Sequence, residues 1–450
     1  MSPPATHRDA ESDATESSTS GRHTSSLDSS QVASVAEAED RNFLLLVLYQ
    51  VVMRCGWIFK TESIIMPAVL DMISGAGWVR GILPILNRIG QSIPPLIYAR
   101  RLTITPKKKW SVAATTFGMG FFFLALALLF VPPIRAWLES THSILLALLF
   151  LLFYALFFAA TGLNQLGLGT LQGKLIEARH RGRLMLTANV IGAILAIGLA
   201  AFLLPMWIPN EQMQVHYIFG FAAVTFFLSS IVAMRLQEPA DNYDEPKVHV
   251  FHLLRNSITV LKTDHNFRRL AFIGSCFGCS LMLFPHYQAI ARDRLDIPLS
   301  QLIYWVMIQN AGTAMFSLLA GPLADRKGNR VVLQIFLLGI LLLPIGAMGL
   351  INLGSAGASW FNLLFLCLGV VPITFRTFTH YTLETAQNSD HPRYLATLSL
   401  CIAAPVVFSP LVGWLIDLTS FELMFSLIAA IVFTGWMVSF TLEEPRHGVG

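Results

Sequence analysis

Long apolar stretches alternate with short polar connections from residue 43 to residue 442. A helix needs about 20 apolar residues to cross the ~30 Å hydrocarbon layer of a bilayer. Twelve stretches reach that length: 43–69, 78–99, 111–131, 143–165, 184–206, 214–235, 269–290, 299–321, 331–352, 359–381, 395–417 and 421–442. The second is the most polar, with Asn87, Arg88, Gln91 and three prolines, and is kept because its counterpart later in the chain is clearer. The pattern predicts an all-α integral membrane protein of twelve transmembrane helices. Residues 1–40 show the opposite pattern. They are rich in Ser, Thr, Asp and Glu, have no apolar core of a signal peptide, and cannot bury enough surface to order themselves. A disordered cytoplasmic tail is expected there.

Three pairs of segments recur in the same order. Arg235-Leu-Gln-Glu-Pro239 ends the sixth stretch and Thr441-Leu-Glu-Glu-Pro445 the twelfth. His180-Arg-Gly-Arg-Leu-Met-Leu-Thr187 follows the fourth, and Asp390-His-Pro-Arg-Tyr-Leu-Ala-Thr397 the tenth. Laying the second stretch on the eighth pairs Asn87-Arg88 with Gln309-Asn310. The expected plan is two pseudo-symmetric six-helix bundles, over 41–237 and 269–445, with a site between repeats. The linker, 238–268, carries Val248, Phe251, Leu254, Ile258 and Leu261 at helical spacing, with Arg255 and Lys262 among them. That fits an amphipathic helix on the inner leaflet or a linker helix packed on the bundle.

Composition agrees: 54% of residues are hydrophobic and 13% charged, against about 25% charged in soluble domains. The net charge of +4 is spread between apolar runs, so no nucleic-acid partner is expected. With the tail inside, twenty Lys and Arg fall in the cytoplasmic loops and the C-terminus and four in outside connections. The positive-inside rule then places both termini in the cytoplasm of a multi-pass protein of the cell (inner or plasma) membrane. The five cysteines lie in apolar runs, and Cys276-Phe-Gly-Cys279 lacks a second ligand pair, so no metal or other cofactor is expected. No phosphate-binding Gly-x-x-x-x-Gly-Lys-Ser/Thr run supports a primary pump, and no His-Glu-x-x-His or Gly-x-Ser-x-Gly motif supports an enzyme.

Between the eighth and ninth stretches stands Gly321-Pro-Leu-Ala-Asp-Arg-Lys-Gly-Asn-Arg330. This resembles the Gly-x-Leu-x-Asp-Arg-x-Gly-x-Arg signature of the major facilitator superfamily, and with twelve spans in two halves the resemblance covers 43–445. It implies a conformational latch in which Gly321 permits close helix approach and Asp325 faces a helix N-terminus. Arg326 and Arg330 pair with acids or lipid phosphates, and Gly328 supports a tight turn. The first-half loop, Ala99 to Lys109, keeps the positive charge and loses the Asp-Arg-x-Gly core, which implies a one-sided latch. The fifth stretch lacks the Gly-Pro pair of the family's drug antiporters, which counts against a proton-driven drug exporter.

The resemblance places the first, fourth, seventh and tenth spans around a central cavity. Charges inside spans cost about 2.5–3.5 kcal/mol on insertion scales and usually mark function. Arg54, Ile58 and Glu62 follow i, i+4, i+8, so Arg54 and Glu62 are expected on one helical face with Lys60 close by. Glu62 is the candidate for proton coupling; a structural ion pair with Lys60 or Arg54, or a place near the outer headgroups, is the alternative. The other candidates for solute contact are Arg88, Asn164, Gln165, His286, Gln309, Asn310 and Arg376. Arg54, Lys60, Arg88 and Arg376 outnumber Glu62, and excess positive charge in a low-dielectric site attracts anions. The expected function is secondary active transport of a small, anionic or partly anionic solute by alternating access, with or without a proton, by a monomer in the lipid bilayer. The rival is a transport-fold protein without flux that assembles with or senses a membrane partner.

Overall fold

The apolar stretches fold as helices in a computed structural model that describes residues 29–240, 259–386 and 390–444. In the first half these are α1 (Ser29–Trp57), α2 (Ile65–Ile73), α3 (Gly77–Ile104), α4 (Lys108–Leu129), α5 (Pro132–Leu175), α6 (Ala178–Trp207) and α7 (Val215–Met234). In the second they are α8 (His265–Leu281), α9 (His286–Leu295), α10 (Gln301–Asn352), α11 (Ser355–Leu368), α12 (Val370–Thr385), α13 (His391–Ala403), α14 (Ser409–Leu418) and α15 (Phe421–Ser439). No strand occurs among the described residues. α1 begins at Ser29, inside the stretch expected to be a disordered tail. The expected linker helix falls mostly on residues 241–258, outside the described residues.

Among the described residues nine helices are long and apolar enough to cross a membrane, or ten if the bent pair α8 and α9 is one span. α3 is not among them, because Asn87, Arg88 and Gln91 and its internal Pro84, Pro94 and Pro95 lower its apolarity. α10 has 52 residues; at about 1.5 Å per residue it would run about 78 Å, more than twice the hydrocarbon thickness. Its chain direction changes at Gly328, whose φ of 83° and ψ of 158° no side-chain-bearing residue adopts cheaply.

The packing pattern repeats. α4 lies on α7, α3 on α5, and α1 on both α6 and α7. In the second half the C-terminal arm of α10 and α8 both lie on α15, α10 also packs on α12, and α8 on α13. In the first half Phe123 meets Phe157, Phe219 and Phe226 edge to face, with Phe123–Phe157 centroids 4.6 Å apart, an arrangement that aromatic quadrupoles favour. The chain reverses alternately at two ends. The basic end holds the α3–α4, α5–α6 and α12–α13 turns and Gly328; the opposite end holds the α2–α3, α6–α7, α9–α10 and α14–α15 turns.

Candidate functional site

The charged residues of the first span do not share one helical face. α1 stops at Trp57, a single 3-10 turn covers Ile58–Lys60, and Thr61 is extended with ψ of 118°. Pro67, in the first turn of α2, is the local cause: it lacks an N–H and its ring clashes with the carbonyl four residues back, so the helix cannot run through. The Thr61 hydroxyl donates to the Ile58 carbonyl at 2.8 Å and finishes the turn. The expected i, i+4, i+8 alignment of Arg54 and Glu62 is thereby corrected. Lys60, Glu62 and Ser63 instead project from a break in the span.

Lys60 is 1% exposed, and its Nζ lies 2.6 Å from Glu62 Oε1. Its ammonium is also boxed by rings, 4.1 Å from the Trp57 centroid and 4.3 Å from that of Phe158, where the π faces favour a cation. Glu62 Oε2 accepts from the Asn87 amide, whose own oxygen accepts from Gln91. Glu62 thus has its structural ion pair, and its side chain remains 21% exposed. Ser63 donates to Gln309 Oε1 at 2.7 Å and so joins the two halves.

The remaining cations sit at the same junction. Arg54 donates to Asn189 Oδ1 at 3.0 Å, and Gly192 on α6 leaves room for it, since a Cβ there would stand 3.1 Å from Arg54 Cδ. Arg376, from α12, is near enough for the two guanidiniums to repel. Arg376 is exposed and has no carboxylate partner among the described residues. Arg88 lies 5.0 Å from the Phe375 ring, again across the halves, and feels the Glu62 charge. The structure therefore brings Arg54, Lys60, Glu62, Arg88, Gln309 and Arg376 to one junction.

Other expected contacts lie elsewhere. Asn164 is buried among α1, α4 and α5, accepting from Tyr49 at 3.0 Å and donating to Thr116 at 2.7 Å; it is interhelical glue. Asn310 donates to Val306 of its own helix at 2.9 Å, and Gln165 is exposed. His286 is wholly buried beside Arg80, near the opposite end. Asn87, Gln91, Asn189 and Phe375 join the site without having been expected as solute contacts; Asn87 and Gln91 stood out only as polar residues of the second stretch, and the uncharged Asn189 and Phe375 carry little signal inside an apolar run.

The opposite end is shut. Asp71 pairs with Arg80 at 3.0 Å and accepts from Gln288 of α9 at 2.8 Å. The Gly77 N–H donates to Asp417 at 2.7 Å, and Glu211 accepts the Ser300 N–H at 3.2 Å. A Cβ on Gly413 would overlap the Gly77 carbonyl, and one on Gly81 would overlap that of Ser409. At the basic end the assigned bonds stay within one half. Glu238 accepts the N–H groups of Lys108 and Lys109 at 3.0 and 2.7 Å and the Lys174 ammonium at 3.0 Å. In the repeat-related place, Glu444 stands against Gly328, and Arg330 donates to the Phe440 carbonyl at 2.8 Å. Asp325 and Arg326 are exposed. Nothing lies within 4 Å of a Cβ built on Gly321, which corrects the expected close helix approach there.

Two cavities lie away from the junction. One of 520 Å³ at the opposite end is lined by Met72, Arg135, Glu211, His216 and Arg292, and an apolar groove of 910 Å³ runs beside α10 and α11. Glu39, Glu177 and His180 gather at the basic end within metal-ligand reach of one another, but His180 Nδ1 is already engaged by Glu39 at 2.9 Å and Arg181 and Arg183 adjoin it in sequence.

A family model described as Major Facilitator Superfamily matches residues 107–389. No curated protein sequence matches the chain. Among solved structures, a point-mutant form of the nucleoside transporter NupG shares 11% identity, covers 90% of this chain and 100% of its own, and gives a TM-score of 0.67. A bacterial homologue of the iron transporter ferroportin, in its inward-facing state, gives 0.63 at 15% identity, with 89% of this chain and 98% of that one covered. The E. coli fucose:proton symporter FucP gives 0.54 at 15% identity, over 88% and 98%.

Proposed function

The chain belongs to the Major Facilitator Superfamily, and on that premise we propose that it is a secondary transporter of a small, anionic or partly anionic solute, held here with its outer end closed. In this reading α3 is a span and α10 two, giving twelve, and the basic end faces the cytoplasm as the positive-inside rule requires. The observation that carries the proposal is the pair Arg54 and Arg376. One half supplies each guanidinium, they are near enough to repel one another, and neither is ion-paired with a carboxylate among the described residues. An anion bound between them would relieve that repulsion and draw the halves together. A solute that binds one arrangement of the halves better than the other shifts the population toward it, which is the thermodynamic content of alternating access.

Glu62 is the candidate proton carrier. Protonation would remove the charge that holds Lys60 at 2.6 Å and loosen the break in the first span, and a symporter of fucose and protons shares the fold. The buried Lys60 would then keep only its aromatic box. Purified protein in liposomes tests both parts. Saturable uptake of small carboxylates or phosphate esters is expected, with organic cations excluded. In Arg376→Gln and Arg54→Gln that uptake should fall about tenfold to a hundredfold, the worth of a charged hydrogen bond. Preference for cations would remove the anion reading, and absence of flux together with a stable membrane partner would replace transport by assembly or sensing. If Glu62→Gln retained full pH-dependent uptake, the proton would be carried elsewhere.

A further inference from the structure

His286 opens α9 directly after Pro285, where the paired helices α8 and α9 bend by 42°. It is fully buried, and neither ring nitrogen has a hydrogen-bond partner. Around it, Arg80 Nε and Gln288 Oε1 are also buried without partners. The charged group facing the imidazole is Arg80 of α3, whose guanidinium pairs with Asp71 of α2. Asp71 has committed its second oxygen to Gln288, and further along α9 Arg292 and Asp293 also act on it. On α15, which meets α9 through Tyr287 and Phe425, Glu422 is paired with Arg294 at 3.1 Å. The only ionisable side chain of α11 is the Cys367 thiol near its C-terminal end, and the first ten residues of α10 hold only the exposed Tyr304.

An unpartnered neutral imidazole in this buried layer costs one unmade set of hydrogen bonds. An imidazolium would cost far more, because a buried charge must be paired, and the neighbour within reach is a like charge. Both oxygens of the one nearby carboxylate are taken. Opening the outer layer to water removes that penalty. The outward-open form therefore binds a proton at this position more readily than the closed form, and by linkage acid shifts the population toward the open form.

We propose that His286 is a proton site of the outer gate, separate from Glu62, and that its protonation from the outside releases the layer formed by α2, α3, α9 and α14. The sign is fixed: neutral imidazole goes with the closed layer, charged imidazole with the open one. The response is sought across the ordinary imidazole range near pH 6.5. The proposal assumes the alternating outer layer of the transport reading, and its test reads opening rather than flux, so a failed uptake assay leaves it standing.

The experiment places one reporter thiol in full-length protein whose five native cysteines have been replaced. Ser409→Cys lies in the closed layer, where Ser409 is 0% exposed, and Ser74→Cys, at an exposed position, serves as the reference. A membrane-impermeant maleimide is applied from the outside at about pH 7.5 and about pH 5.5, either side of the imidazole range. The rate ratio of Ser409→Cys to Ser74→Cys cancels the common effect of pH on thiols. The ratio is expected to rise about tenfold in acid, one decade of equilibrium shift, and to lose that rise in His286→Gln. An unchanged ratio in protein that keeps His286 overturns the proposal without any variant at the site, and an acid response that persists in His286→Gln overturns it as well.

Discussion

The two ends of the molecule are built differently. At the end opposite the basic one, the outer end in the proposed orientation, the halves are stitched to each other, by Asp71 to Gln288, Gly77 to Asp417 and Glu211 to Ser300. At the basic end the assigned bonds fasten each half to itself, with Glu238 gathering Lys108, Lys109 and Lys174 in the first half and Arg330 reaching Phe440 in the second. A carrier that exposes one site alternately to two sides needs this inequality, reversed in its other state. Between the two layers, Lys60 and Glu62 sit where the chain of the first span breaks, Arg88 feels the Glu62 charge, and Arg376 acts on Arg54.

The largest effect is expected where the outer layer has least room. In Gly413→Ala the added Cβ meets the Gly77 backbone, which cannot rotate away. Overpacking of this kind costs about 1–3 kcal/mol, which moves the closed–open balance toward open by roughly tenfold to a hundredfold. Outside labelling of Ser409→Cys should rise accordingly, and unchanged labelling would mean that the glycine contact does not hold the end shut.

A middle-sized effect separates the two halves of the basic end. Glu238 caps α4 with two backbone bonds and an ammonium, so Glu238→Gln should lower unfolding stability in detergent by about 1–2 kcal/mol, as for a lost cap and charge–dipole contact. Glu444 has a buried oxygen without a partner, and Glu444→Gln should cost less. Equal losses, read as melting temperatures, would erase the distinction.

The smallest effect is at Glu211, an exposed surface carboxylate. Hydrogen bonds from Ser300 hold its carboxyl below the ordinary range. A depressed carboxylate contributes to closure above that range and loses the contribution as pH falls through its lowered value. Glu211→Gln should therefore remove a slight loosening of the outer end seen only below about pH 4, well apart from the window of His286.

Much of this was legible in the sequence because lipid demands long apolar runs, and because costly charges inside them stand out. Arg54, Lys60, Glu62, Arg88 and Arg376 were visible for that reason. The repeat was legible in Glu238 and Glu444, which take related places at the basic ends of the two halves. The break after Trp57 was not anticipated, although Pro67 carries the signal. Asp71 was missed because the first span was expected to end at residue 69. Asn164 looked like a site residue because an uncharged amide in an apolar run can serve a ligand or another helix, and only its contacts with Tyr49 and Thr116 decide which. Gly321 shows the reverse case, a motif glycine with open space around it.

The central claim is that the halves exchange which end is closed about the Arg54–Arg376 pair. Spin labels at the exposed positions 74 and 419 report the outer end, and labels at the exposed positions 107 and 327 report the basic end. Distances measured in liposomes with and without a transported anion are expected to change in opposite senses at the two ends, the outer pair moving apart as the inner pair draws together. Distances at both ends that stay fixed with solute, or that lengthen together, would contradict the account.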